Sequence, residues 1–331
     1  MTNINIPLSV LNLAPIREGQ GPKQAIDHMV DLAKAVEEMG YTRYWIAEHH
    51  NSSTLVSSAT SILIKHTLEH TKHIRVGSGG VMLPNHSPLV VAEQFGTMAS
   101  IYPDRIDLGL GRAPGTDMMT ASALRRSKND SVYTFPDDVQ ALLTYFGPEE
   151  RQGYVRAYPG VNTNIPIYIL GSSTDSAYLA AKLGLPYVFA SHFAPRYMEE
   201  AISIYRSRFQ PSEYLDKPYM IVCLNVIAAE TNEEAEFLST TAQQFFLGVI
   251  RNSRVPLQPP VKNLVWNAME KEAAGSMSRL TFMGSKETVR AQLTDFQEKY
   301  NVDEIMVVSY IFDTEKQKRS YEIFKEIVDG R

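Results

Sequence analysis

The stretch YTRYWIAEHHN, Tyr41 to Asn51, decides the fold. It opens as an aromatic, apolar run and ends in a carboxylate and two adjacent histidines. A segment built for burial that terminates in acid–base groups reads as a strand with its chemistry at the carboxyl end. That is where barrels of alternating strands and helices place their active residues. Successive side chains of an extended segment point in opposite directions, so one of His49 and His50 is expected to face a cavity.

Working outward, the same apolar-run-then-helix unit recurs along the chain. LSVLNL (Leu8–Leu13) precedes a helix whose Ile26, Met29, Val30, Ala33 and Val36 share one face, with Gly40 placed to end it. YWIA leads to Ser57–His66, IRVGSGG to Leu89–Ile101, and RIDLGLG to a longer region holding a helix over Asp137–Phe146. IYIL, YVFAS, MIVCLNVIA and DEIMVVSY each precede a further helical segment. Eight strand–helix units predict a parallel sheet closed on itself, a (β/α)8 TIM barrel, because a parallel crossover needs an intervening helix. The 331 residues suit one such domain, 1–331. The longer intervals at 113–164 and 252–285 read as insertions at the carboxyl-terminal face.

Composition narrows the partners. With 32 basic and 37 acidic residues the net charge is −5, and no long basic run offers itself to nucleic acid or an anionic membrane. The single cysteine, Cys223, sits in the apolar YMIVCLNVIAA and reads as a core residue. The first residues lack a charged n-region and a full apolar h-region, and no apolar run approaches the roughly 20 residues of a bilayer span. A cytoplasmic protein is the expectation.

Four stretches carry candidate chemistry. In AEHH, a histidine next to a carboxylate suits proton exchange near neutrality, against the plainer reading of hydrogen-bonded strand capping. A metal site is not expected, because the histidines are adjacent and His86 and His192 stand far away in sequence. In RVGSGGVMLPNHSP, Gly79 and Gly80 leave room for a flat ring, or make a simple bulge. In LGLGRAPGTD the glycines miss the dinucleotide-loop spacing, but Arg112 suits an anion, an electron-rich ring or a structural ion pair. In ILGSSTDSAYLAAKLG, a strand gives way to a helix whose free N–H groups suit a phosphate, with Ser172 and Ser173 as added donors and Asp175 as cap.

Together these stretches resemble the bacterial luciferase-like monooxygenases, flavin-dependent (β/α)8 barrels, most densely over Tyr44–Arg126 and closest to the alkanal monooxygenase-like subgroup (luciferase family oxidoreductase group 1). The resemblance implies reduced FMN and O2 acting through a C4a-hydroperoxyflavin on an aldehyde-like substrate. It implies His49 as catalytic base with Glu48 beside it in the flavin pocket. It also implies a cis peptide joining Gly79 and Gly80 under the ring, Arg112 on the flavin, Ser172 and Ser173 on the phosphate, and Arg125 or Arg126 reaching the same phosphate. Gly111 stands where luciferases carry a reactive cysteine, which speaks against efficient light emission. A separate flavin reductase as source of reduced FMN and a homodimer are further expectations. An oxidoreductase using F420 and a flavin-binding protein without turnover are the alternatives.

Overall fold

The computed structural model describes residues 4–113, 115–124 and 134–331. Along them run nine strands: β1 (Leu8–Asn12), β2 (Arg43–Ile46), β3 (Arg75–Met82), β4 (Ile106–Gly111), β5 (Ile167–Gly171), β6 (Tyr187–Ala190), β7 (Met220–Ala228), β8 (Thr281–Gly284) and β9 (Glu304–Val308). The helices between and after them are α1 (Pro22–Glu38), α2 (Thr60–His70), α3 (Pro88–Ile101), α4 (Met118–Leu124), α5 (Phe135–Phe146), α6 (Thr174–Leu183), α7 (Met198–Arg208), α8 (Asn232–Ile250), α9 (Ala268–Met277), α10 (Lys286–Tyr300) and α11 (Thr314–Val328).

Eight strands pair in parallel, β1 through β7 in order and then β9, which returns to β1 and closes the barrel. These are the eight apolar runs of the sequence. β8 is a correction to that reading. Its four residues lie inside the interval taken as the 252–285 insertion, and they pair with the distal half of β7, Asn225–Ala228. Asn225 also pairs with Val308 on β9, so β8 occupies the other side of β7, extending the sheet beyond β6. The helix α10 behind β8 completes a ninth strand–helix unit that the eight-unit reading left unassigned.

Strand alternation divides the apolar residues into two layers. Leu8, Val10, Tyr44, Ile46 and Val76 face outward, onto helices such as α1 and α11 through Met29, Val36 and Phe324. Leu11, Leu13, Trp45, Ala47, Tyr168, Val188 and Met306 face inward and fill the barrel. Burial on both faces is why the strands read as continuous apolar runs. Gly109 makes the interior fit, since a Cβ there would stand 2.2 Å from the Ser78 carbonyl oxygen and 3.2 Å from the Trp45 ring.

Ion pairs close the floor of the barrel at the amino ends of the strands. Arg43 donates from Nε and Nη2 to the two oxygens of Glu304 (2.8 and 3.0 Å), and from Nη1 to Asp107 (2.9 Å) and the Tyr168 hydroxyl (2.7 Å). Trp45 Nε1 and Arg75 Nε complete Asp107, while Ser9 and the Tyr219 hydroxyl complete Glu304. Burial works against the Arg43 charge, but the two carboxylates outweigh it and hold the guanidinium protonated. Charges removed from water need this degree of satisfaction. Among the described residues no helix is long and apolar enough to cross a membrane.

Candidate active site

Above the Trp45 layer, at the carboxyl ends of the strands, lies a cavity of about 420 Å³. Its size falls within the range of small-molecule and cofactor sites. The alternation that points Arg43, Trp45 and Ala47 inward continues past the end of β2. It brings His49 to the cavity wall and turns Glu48 and His50 away from it.

Glu48 is therefore not on the wall beside His49, as the resemblance had implied. It is 2% exposed, and one carboxylate oxygen accepts from His50 Nε2 at 2.9 Å and from His86 Nε2 at 2.7 Å. Burial alone would raise its pKa; the two imidazole hydrogen bonds outweigh that and hold it below the ordinary carboxylate value. The three donor atoms lie within 4.8 Å of one another, near enough to share a metal ion, yet the direct hydrogen bonds already account for their approach. The Glu48 cluster braces the loop that carries His49, whose own N–H donates to the Ser57 carbonyl at 3.1 Å.

His49 meets a second histidine in the cavity. His192, two residues past the end of β6, is buried on the same wall, and the Nδ1 atoms of both rings lack a hydrogen-bond partner among the described residues. Burial, with the positive charge of Arg254, pushes the His49 pKa down to about 4. Burial, then the nearness of His49, pushes that of His192 down to about 3. Both rings are neutral near pH 7, and in each the Nδ1 atom is enclosed by protein without a partner among the described residues. Sequence reasoning noted His192 in ASHF only as a remote metal ligand. The signal that would have placed it is its position just past a strand, the same as that of His49.

Gly79 and Gly80 lie on the wall at an irregularity in the β3–β4 register, and the peptide between them is cis. A Cβ on Gly79 would stand 2.6 Å from Leu11 Cδ1. Ser172, Ser173 and Ser176 border the cavity at the start of α6. Ser173 is the N-cap residue of that helix and its hydroxyl makes no capping bond, so the first-turn N–H groups are left for a ligand. Asp175 is not the cap expected for it; its carboxylate accepts from Arg112 Nη2 at 3.0 Å. Arg112, also on the wall, thereby neutralises the group that would repel a phosphate here. Arg125 and Arg126 lie outside the described residues. Cys223, taken as a core residue, also reaches the cavity floor, where burial raises its thiol pKa and keeps it protonated.

The remaining wall is apolar and aromatic: Leu13, Met82, Phe193, Phe246 and Met277, with Phe245 stacked on Tyr310 at 4.6 Å. The Gly79–Gly80 strip, the uncapped helix start with its neutralised acid and two neutral histidines on the wall suit a flat, phosphorylated cofactor beside an apolar substrate.

Fold and site together define a (β/α)8 barrel with a cofactor-sized cavity at its catalytic face. Residues 6–301 match the luciferase-like monooxygenase family, and the chain belongs to that family. It is 46% identical over 329 residues to a luciferase-like monooxygenase of Escherichia coli K12, covering 99% of this chain and 98% of that one. It is 31% identical to the N-acetyl-S-alkylcysteine monooxygenase of Bacillus subtilis, over 98% of each chain. Among solved structures, apo-MsnO8 superposes with a TM-score of 0.90 at 34% identity, covering 97% of this chain and 98% of that one.

Proposed function

We propose that the protein is an FMN-dependent monooxygenase that oxidises a small or medium organic molecule with a largely apolar body. The observation that carries the reading is the meeting of His49, the Gly79–Gly80 strip and the uncapped start of α6 around one cavity. Reduced flavin supplies the two electrons with which one atom of O2 enters the substrate and the other leaves as water.

The rest falls to this chain's own residues. The first turn of α6, Ser172 and Ser173 hold the phosphate, and Gly79–Gly80 gives the ring close backbone approach. The apolar wall excludes water from the reacting atoms. His49, neutral and on the cavity wall, exchanges a proton with the reacting centre, and the Glu48–His50–His86 cluster keeps its loop in place. Reduced FMN reaches the open end of the barrel from a separate reductase, and the working unit is a homodimer. The relation to an enzyme named for N-acetyl-S-alkylcysteines supports thioethers as a substrate class beside aldehydes.

The test supplies purified protein with photoreduced FMN, O2 and a panel of thioethers and alkanals, reading oxygen uptake and product mass. Oxygenated product dependent on FMN supports the reading. Absence of FMN affinity, or tighter binding of F420 in a parallel titration, replaces it with the deazaflavin alternative. Tight FMN binding with no product anywhere in the panel leaves a flavin-binding protein.

A further inference from the structure

Among the described residues, two arginines and no carboxylate line the cavity. Arg112 is spoken for by Asp175. Arg254 forms no ion pair or hydrogen bond among the described residues, although it stands on the wall and its charge reaches His49. A guanidinium beside an apolar chamber with no acid of its own is matched to an anion that arrives with the ligand.

The backbone around Arg254 is built to hold it there. On one side, Ser253 N–H donates to the Gly248 carbonyl at 2.9 Å, and Gly248 permits this approach because a Cβ would lie 3.1 Å from the Ser253 carbonyl oxygen. On the other side, Leu257 N–H donates to Ile16 at 2.8 Å and its carbonyl accepts from Glu18 N–H at 2.9 Å. Thr241 and Gln244 of α8 hold the carbonyls of Gln258 and Pro259, each at 2.9 Å. The segment is thus tied to α8 and to the loop after β1, and Arg254 lies between the ties. Two more donors border the same chamber, the Thr54 hydroxyl and the Tyr310 hydroxyl; the latter makes no hydrogen bond among the described residues. Burial holds the Tyr310 phenol protonated.

We propose that the substrate is a carboxylic acid with an apolar body. Its carboxylate is bound by Arg254, with Tyr310 and Thr54 as neighbouring donors, and its apolar portion runs along Phe245, Phe246 and Met277 toward the two histidines. This rests on the monooxygenase reading for the reaction, and it adds the ligand class. Arg112 and the start of α6 serve the cofactor phosphate at one place on the wall, and Arg254 serves the substrate anion at another.

The test is isothermal titration of the FMN-loaded protein with straight-chain carboxylates of about six to twelve carbons and their primary amides. Wild type is expected to favour the acids by about 10- to 100-fold, the range of a charge-assisted hydrogen bond. Arg254→Gln should abolish that preference while moving amide binding less than about twofold, and Arg254→Lys should keep part of it because the charge remains without the planar fork. Circular dichroism checks that this exposed loop position tolerates the changes. Equal affinity for acids and amides in wild type, no binding of any acid, or a preference that survives in Arg254→Gln each overturns the inference. So does a tenfold loss of FMN affinity in Arg254→Gln, which would assign the residue to the cofactor. A parallel titration of the unloaded protein with FMN and with the acids lets failure of the flavin reading show separately: acids bound through Arg254 by a protein without FMN affinity would remove the monooxygenase and keep the anion site.

Discussion

His49 and His192 stand past the ends of two strands that are not neighbours in the barrel, yet both line one cavity, and each encloses an Nδ1 without a partner among the described residues. Nothing among the described residues satisfies these two nitrogens, and a buried polar atom without a partner costs about 1–3 kcal/mol.

His49→Ala should leave the fold and FMN affinity within about threefold of wild type while lowering turnover by about 10²- to 10⁴-fold, the usual yield of a positioned acid–base group. Stopped-flow turnover alongside flavin titration checks this. Parallel loss of FMN binding would make His49 a cofactor-binding residue.

Ser173→Asp separates phosphate binding from helix capping. Aspartate is a good N-cap and favours a helix start, so α6 should be no less stable. The same charge repels a phosphate at the first turn. FMN affinity should fall at least about tenfold, by a charge repulsion of roughly 1.4 kcal/mol or more, while riboflavin, which lacks the phosphate, should bind as before. Equal losses for both flavins would place the phosphate elsewhere.

Acid should unfold the protein earlier than its carboxylates alone would require. The folded-state pKa values of His49 and His192, about 4 and about 3, lie below the ordinary value of 6.5. Below pH 6.5 the unfolded chain therefore binds protons that the folded chain does not, and stability falls until pH about 3. His192, buried on the cavity wall, should account for roughly 1–2 kcal/mol between pH 7 and 5. His49 borders the open cavity and should contribute less. Urea midpoints at the two pH values compare wild type with His192→Asn, in which the drop should shrink by about that amount. An unchanged drop would show the ring to be charged in the fold.

Arg43→Met should destabilise the protein by about 3–5 kcal/mol, because it leaves Glu304 buried with only hydroxyl partners. Asp107 keeps Arg75 and is affected less. Pairing the change with Glu304→Met should recover part of the loss. A single-variant cost under about 1 kcal/mol, from chemical denaturation, would mean that water reaches the floor of the barrel.

Most of the barrel was legible in the sequence because strands buried on both faces leave runs such as MIVCLNVIA, and the helices between them keep one apolar face. β8 was not, because Thr281–Gly284 is short and half-buried and leaves no such run. Parity along YWIAEHH allowed one inward histidine and set Glu48 on the opposite face, but not that His86, thirty-eight residues away, arrives to bond it. The same holds for Asp175, a local cap by sequence and the partner of Arg112 in space. Tyr168 and Glu304 looked like ordinary strand residues; only closure of the barrel brings them onto Arg43. Arg254 sat in an insertion without a motif. Sequence reports what a residue does to its neighbours in the chain, and these roles belong to neighbours made by folding.

The ties that hold Ser253 to Gly248 and Leu257 to Ile16 have a consequence for how such an enzyme diversifies. The stretch between them is short, lies apart from the eight-stranded cylinder and frames one part of the entrance. On the proposed reading, lengthening or rewriting it would redraw the guest list of the chamber while the histidines and the start of α6 stay untouched. If Arg254 holds the substrate anion, selectivity and reactivity are separately heritable, with the first residing in a few loop residues and the second in the barrel.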